Sequence, residues 1–376
     1  MKLLKIIFKQ IKTKYYQIFY FQRRSRIKLS YRLKIKEIYK KHPQLSKKTI
    51  NKDFEKASKD FLRTNFNGYC NTSWHHFYAS FSGIKDPKYI PEEVYFGYME
   101  PAFNNPQIKK AYTDKNAYSL FIDKMYMPKT IFKIINGSYF TENSDWIESE
   151  FALNQIINIE DKLILKPAND SGGGNKIYIG AGKEIASLLK SNPYYQNNNL
   201  ILQYFANQHP RLSAFHSKSL NTFRITTARI KNEIVILYSC FRMGRNGNLM
   251  DNTVTGGLYV NVTPQGLLHQ IAYDNDSYKY VEHPDSGIKF HNYKIPGFKK
   301  AIEFCKSTHK KLIQFKVISW DIGVQEDETP LFIEFNMGAQ AINALQILNG
   351  PMFGEHTEYF IQEYKDIVRS SDYNII

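Results

Sequence analysis

The chain has 376 residues, enough for two or three domains with hydrophobic cores of their own. Hydrophobic residues make up 43% and charged residues 23%, close to globular averages, which excludes wholesale disorder. The net charge of +16 is local: residues 1–60 carry 19 Lys and Arg against four acids, and the rest is near neutral. Sequence-independent nucleic-acid binding wants a basic groove across the whole molecule, so no specific nucleic-acid partner is expected. Cys70, Cys240 and Cys305 are odd in number and far apart, which excludes a disulfide framework and points to a reducing, cytoplasmic setting.

Residues 1–60 read as a first unit, a basic amphipathic helical extension. Lys2, Lys5, Lys9 and Lys12 recur at helical spacing, and Leu4, Phe8, Ile11, Tyr15 and Ile18 repeat it on another face. Lysines break every apolar run, so neither a signal peptide nor a membrane span is expected. Two uses fit. The stripe either lies on an anionic membrane surface, each nearby cation contributing about 1 kcal/mol, or packs on the body. A polyanion partner is a third. Residues 61–125 form a helical, aromatic second unit. The neighbours His75 and His76 point in different directions with no third ligand at a useful spacing, so they read as packing residues.

After residue 126 the texture changes. A third unit, 126–205, carries strand signals at 130–135, 161–166, 176–179 and 200–205, with helices near 144–156 and 184–189. The fourth, 206–376, carries strands at 221–230, 234–242, 257–262, 315–324 and 331–336, with helices near 297–311 and 354–367. Antiparallel hairpins with a few helices predict an α+β fold rather than a doubly wound parallel sheet.

Three patterns point to chemistry. In VISWDIGVQEDETPLFIEFN, residues 317–336, a two-residue turn at Asp327-Glu328 sets Asp321 opposite Glu334, about 5 Å apart at Cβ, with Asn336 on the same face. Paired carboxylates in apolar strands cost several kcal/mol unless a cation compensates, and hard oxygen ligands suit Mg²⁺. The competing reading is an exposed face meeting solvent. In LILKPANDSGGGNKIYI, Lys166 precedes Ser171-Gly172-Gly173-Gly174, a loop able to cradle phosphate oxygens or to be a plain hairpin tip. In LNTFRITTARIKNEIVILYSCFR, a turn at Asn232-Glu233 brings Arg224 almost level with Arg242, implying a nearby anion or paired surface salt bridges. Asp251, Asn252, Gly256 and Gly257 follow on a loop.

The order of these motifs resembles an ATP-grasp ligase: Asp114-Lys115, Lys166-Pro167 with its Gly-rich loop, LILQYF, NTFR, a second Arg, a DN…GG loop and D…ExN. Within that superfamily the chain is most similar, over about residues 66–376, to the sugar-transfer-associated group, relatives of the α-L-glutamate ligases. The resemblance implies an ATP-grasp fold whose lid is 126–205 and whose catalytic subdomain is 206–376. It implies Lys115, Lys166, Ser171 and Gly172–Gly174 at the ATP phosphates, and Gln203, Tyr204 and Phe205 as the adenine hinge. Asp321, Glu334 and Asn336 would hold two Mg²⁺ ions. Arg242, Arg224 and Asn252 would serve the transferring phosphoryl group, and Asn221, Gly256 and Gly257 the substrate. The implied reaction joins a small-molecule or glycan carboxylate to an amine through an acyl phosphate, in surface-polysaccharide assembly. A sugar phosphotransferase and a non-catalytic membrane-docked scaffold are the alternatives. The sequence departs from the pattern at NQHPRLSAFHSKS after the hinge, which hides the ribose-binding acid. It departs again at MGAQAIN after ExN, which replaces a Ser-Pro-Gly turn on the acceptor side.

Overall fold

The computed structural model describes residues 2–45, 51–169, 174–338 and 340–370, with side chains from residue 22 onward except Gln44. The stripe Leu4–Ile18 and the loop residues Ser171, Gly172 and Gly173 therefore lie outside the described side chains. The chain opens with one 40-residue helix, α1 (Lys2–Lys41), which no Pro or Gly interrupts. Its second half packs on the body. Ile35 is buried, Tyr31 stacks on Phe96 at 5.1 Å, and Lys34 holds the buried Glu92 at 2.8 Å. No helix among the described residues is long and apolar enough to cross a membrane.

Two further helices follow. In α2 (Lys52–Asn65) the Asn51 side chain caps the N-terminus by accepting from the Asp53 and Phe54 amides. In α3 (Ser73–Ser82) Trp74, Phe77 and Tyr78 enter a core shared with α1. His75 and His76 are buried among Phe54 and Tyr89, and burial pushes the His75 imidazole down to about 3. After α4 (Pro106–Tyr112), the helical unit expected over 61–125 ends in 3-10 turns at Lys115–Leu120 and Lys124–Tyr126. The cause is local: the Asp114 side chain accepts from the Asn116 amide, and the Lys115 amide donates to Ala168 O.

The first sheet is built from β1 (Thr130–Ile135), β2 (Ser138–Thr141), β3 (Trp146–Ile147), β4 (Leu163–Pro167), β5 (Tyr178–Gly180) and β6 (Leu200–Tyr204), ordered β3-β2-β1-β6-β4-β5 and antiparallel throughout. The turn Asn136-Gly137, at φ 50 and 79, joins β1 to β2. Helices α5 (Ser149–Ile156) and α6 (Gly182–Ser191) bury Ile156, Ile185 and Leu189 with Leu163, Leu165, Leu200 and Leu202. Those leucines alternate with Ile164, Lys166, Ile201 and Gln203, which turn to the other face.

The second sheet comprises β7 (Thr222–Ile230), β8 (Glu233–Met243), β9 (Leu258–Val262), β10 (Leu268–Tyr273), β11 (Lys279–Tyr280), β12 (Val317–Val324) and β13 (Pro330–Asn336). Its order is β11-β10-β9-β8-β7-β12-β13. The alternation sends Phe223, Phe241, Val260, Trp320 and Ile322 into a core shared with α7 (Phe298–Lys311). Thr222, Arg224, Arg242, Tyr259 and Asp321 take the opposite face. Helices α8 (Ile342–Asn349) and α9 (Thr357–Ser370) pack against the N-terminal helices.

Two hairpins differ from the sequence-based expectation. The β12–β13 loop has three residues, Glu326–Glu328, with Glu328 at φ 65, so pairing near the turn is one residue out of the expected register. A bulge that leaves Ile333 unpaired then restores it, and Asp321 does lie opposite Glu334. In the β7–β8 hairpin the turn is Lys231-Asn232, Lys231 at φ 52, and a bulge follows between Thr226 and Thr227. Arg224 therefore faces Cys240 and Arg242 faces Thr222: the two arginines are diagonal neighbours on one face, not level.

Candidate active site

One cross-strand row organises the centre. Arg224 of β7, Asp321 of β12 and Glu334 of β13 sit side by side in register, and Asn336 stands two residues beyond Glu334. Arg224 donates to Asp321 twice, Nε to Oδ1 at 2.6 Å and Nη2 to Oδ2 at 3.0 Å, a fork-to-fork pair. Arg242 Nη2 adds a contact to Oδ2 at 3.1 Å. The anion that the two arginines call for is thus supplied within the protein, by Asp321 and by Asp251, which lies 3.3 Å from Arg242 Nη2.

Burial alone would push the Asp321 carboxyl up, but Arg224 and Arg242 outweigh it and hold the carboxyl below its ordinary value. Asp251 goes the other way, raised by burial more than Arg242 and the Thr222 hydroxyl lower it. Arg242 is held firmly protonated: its desolvation is outweighed by Asp251 and Asp321. Thr222, whose hydroxyl accepts from Arg242 Nη2 at 2.9 Å and donates to Asp251, belongs to this network. Sequence reasoning passed over Thr222, although its place two residues before Arg224 on the same strand face was a usable signal.

Opposite this row stand two lysines from the first sheet and its approach. The Asp114 cap and the Lys115–Ala168 backbone bond carry Lys115 to the end of β4, where its Nζ lies 3.7 Å from Glu334 Oε2. Lys166 is buried, and desolvation, helped by Lys115 and opposed by Glu334, lowers its ammonium to about 8. A third buried lysine of the same sheet face, Lys133 of β1, lies across Ile201 from Lys166 and was not picked out from sequence.

Residues from both sheets line one cavity of about 450 Å³. Lys115, Lys166, Gly174, Arg224, Arg242, Asn252, Asp321, Glu334 and Asn336 meet on its polar side, and Ile164, Tyr204, Phe205, Leu220 and Ile333 form an apolar side. Gly174 has φ 79, and a Cβ there would stand 2.9 Å from the Met250 side chain, so a glycine lets the two loops close on one another. Gln203, expected in the hinge, instead lines a small adjoining cavity, its amide donating to Pro128 O and Thr130 Oγ1 at 3.2 Å.

Three expected substrate residues are not brought to the cavity wall. Asn221 is fully buried, its amide donating to Gln208 Oε1, Leu212 O and His216 O and accepting from Ser219 and the Gly244 amide. It ties the start of β7 to the preceding loop and has no atom left for a ligand. Gly256 closes a 3-10 turn at φ 101 and gives its carbonyl to Arg245. At Gly257 a Cβ would meet Asp251 O at 2.4 Å. Both glycines shape the loop that carries Asp251 and Asn252.

Among the described residues no three His, Cys, Asp or Glu side chains cluster as a metal site by themselves. Asp321, Glu334 and Asn336 all reach the cavity wall, and their two carboxylates and one amide are hard oxygen ligands that would fit a Mg²⁺ ion taking its remaining ligands from phosphate and water. The Asn336 amide nitrogen is buried without a hydrogen-bond partner and, being a donor, is open to an acceptor oxygen such as a phosphate's, while the oxygen of the same side chain is the atom a cation would use.

The sequence profile of the family described as sugar-transfer associated ATP-grasp matches residues 98–360. The chain belongs to that family. No curated protein matches the chain. Among solved structures, the chain is similar to the biotin carboxylase domain of Hydrogenobacter thermophilus 2-oxoglutarate carboxylase, solved with MgADP, ADP and bicarbonate. The identity is 13% and the TM-score 0.40, over 72% of this chain and 48% of that one. It is also similar to D-alanyl-alanine synthetase A from Vibrio cholerae (11% identity, TM-score 0.40, 71% of this chain and 68% of that one) and to the D-cycloserine synthetase DcsG (10%, 0.41, 71% and 73%). This chain thus spans about half the length of the carboxylase domain it matches.

Proposed function

We propose that the protein is an ATP- and Mg²⁺-dependent ligase that joins a carboxylate to an amine. The observation that carries this reading is the meeting, in one cavity, of Asp321, Glu334 and Asn336 on one wall with Lys115 and Lys166 on the other. Four cations, counting Arg224 and Arg242, surround a space whose acids are Asp251, Asp321 and Glu334, and Mg²⁺ held by the acids would add the positive charge that a triphosphate needs. The apolar wall at Ile164, Tyr204 and Phe205 suits a flat base. In this reading 126–205 is the lid and 206–376 the catalytic subdomain, with 61–125 in front and 1–60 as an extension.

Lys115 and Lys166 draw the phosphates by charge. Arg242, whose contacts within the protein run through Nε and Nη2, steadies the phosphoryl group in transfer. Asp321, Glu334 and Asn336 are the residues to hold Mg²⁺, which when bound neutralises charge on the phosphate oxygens. An oxygen of the substrate carboxylate attacks the γ-phosphorus, ADP leaves, and the amine then displaces phosphate from the acyl phosphate. Fixed cations stabilise charge as it develops, so no nucleophile of the protein's own is needed.

The membership in a sugar-transfer associated family supports a carboxylate on a sugar or glycan, in surface-polysaccharide assembly. The unevenly placed charge of residues 1–60 supports peripheral attachment to an anionic membrane face, carried by residues before the packed half of α1. The test of the reaction is ADP release against a panel of carboxylates with and without an amine. Release that needs both supports ligation; a stable sugar phosphate made without any amine overturns it in favour of a phosphotransferase.

A further inference from the structure

The nucleotide-sized cavity is not closed behind its charged residues. A second cavity of about 460 Å³ begins at Lys115, Glu334 and Asn336, the residues that line both. Its outer wall is the packed half of α1, through Arg23, Ile27 and Tyr31, and its floor holds Lys109 of α4 and Gly338 of the turn after β13. At Gly338 a Cβ would stand 2.3 Å from Lys109 Nζ, so glycine lets the ammonium lie against the chain there. The buried, unpartnered Asn336 amide nitrogen sits at the junction of the two spaces.

We propose that this second cavity is the acceptor subsite, where Arg23 and Lys109 hold and orient the carboxylate-bearing substrate. The assignment rests on the ligase reading above and adds to it the place and chemistry of the acceptor. Position is the first argument: a group in this cavity meets the phosphates only past Lys115, Glu334 and Asn336, where transfer takes place. Charge is the second. The cavity's cations, Arg23, Lys109 and Lys115, exceed its acids, Glu100 and Glu334, by one, which favours a monoanion. Shape is the third. Tyr31, Phe96 and Tyr118 give the cavity flat aromatic walls, and its volume suits a ring-sized substrate such as a uronic acid. The balance of the step is complete: a carboxylate oxygen–phosphorus bond forms as the bond to the ADP leaving oxygen breaks. The amine nitrogen then bonds the acyl carbon, phosphate leaves with the electron pair, and the amine proton goes to water. By this assignment the N-terminal helix is a wall of the site and not an appendage.

The full chain tests it, with glucuronate, galacturonate and glutamate as acceptor probes, hydroxylamine as the amine and ADP release as the readout. Arg23→Gln and Lys109→Met are expected to raise the KM for the active probe by about ten-fold or more, while affinity for a non-hydrolysable ATP analogue stays within about two-fold. Arg23→Lys, which keeps the charge, is expected to recover part of the loss and serves if Arg23→Gln fails to fold. An unmoved acceptor KM overturns the subsite and leaves the ligase reading intact, as does a parallel loss of nucleotide affinity. Absence of probe-stimulated ADP release in the wild type overturns both.

Discussion

Arg224 and Asp321 face one another on neighbouring antiparallel strands and are joined by two parallel hydrogen bonds, 2.6 and 3.0 Å long. The pair sets the character of the site. A buried carboxylate that two guanidinium groups hold ionised keeps a fixed negative charge on the cavity wall.

The pair is a stability element with a definite pH signature. Arg224→Met leaves Asp321 buried with Arg242 alone and is expected to cost about 3 kcal/mol. Because the folded-state pKa of Asp321 is depressed, its contribution is present above the unfolded carboxylate value and is lost as pH falls through the folded one. In Arg224→Met the folded-state pKa rises toward the unfolded value, so that acid-dependent loss shrinks and the gap between wild type and variant narrows as pH falls. Urea unfolding at pH 7 and at mildly acid pH checks this; equal midpoints for wild type and variant at both would contradict it.

The second prediction separates the two carboxylates. Glu334→Gln removes a charge facing Lys115 but leaves the arginine network whole, so it is expected to abolish Mg²⁺-dependent ATP turnover with little change in melting temperature. Asp321→Asn is expected to abolish turnover and also lower stability, since Arg224 and Arg242 lose their shared partner. Melting curves beside ADP-release assays distinguish the two. Full turnover in Glu334→Gln would sink its metal role.

How much of this was legible in the sequence depends on the element. The pairing of Asp321 with Glu334 was readable, yet through a turn that is not there: a three-residue loop and a bulge at Ile333 cancel one another in the register. Bulges leave no compositional mark, whereas the near-level placing of Arg224 and Arg242 failed at the turn, which sits at Lys231-Asn232 and not at Asn232-Glu233. Strand β2 went unread although Asn136-Gly137 announces its hairpin. Asn221 was assigned to the substrate through the resemblance of the NTFR motif, not through anything in its own surroundings. Four of its five partners come from the 208–219 segment, whose path no local pattern specifies, and the fifth is the Gly244 amide just after β8.

Lys166 gives a third prediction. Its ammonium, lowered to about 8, is partly uncharged in slightly alkaline solution, and a bound polyphosphate favours the protonated form. Nucleotide affinity is therefore expected to fall as pH rises through about 8 and above, with proton uptake on binding. In the free protein the same depression makes stability rise with pH between that value and the ordinary lysine range, because the unfolded chain there binds more protons. Calorimetry in buffers of different ionisation enthalpy detects the uptake. Lys166→Met is expected to lose it, along with about 1.5–3 kcal/mol of nucleotide binding. Persistence of the proton uptake in the variant would place the titrating group elsewhere.

The fourth prediction divides the N-terminal helix at its packed half. Deleting residues 2–21 is expected to release the protein from anionic vesicles and leave its melting temperature unchanged. Deleting residues 2–45 is expected to lower it, since Ile35, Tyr31, Lys34 and Leu45 are then withdrawn from the body. Electrostatic attachment to an anionic surface is expected to fade with salt, screening acting over about 8 Å at physiological ionic strength. Equal sedimentation of the full chain with anionic and neutral vesicles would retire the membrane role.

The central claim, carboxylate activation by phosphoryl transfer from ATP, is tested most directly by following oxygen. With a substrate carboxylate labelled with oxygen-18, Mg²⁺-ATP and an amine, one labelled oxygen is expected to appear in the phosphate released, because the carboxylate oxygen that attacks the γ-phosphorus leaves with it. Unlabelled phosphate alongside amide product, or label retained in a stable phosphoester, would contradict the account.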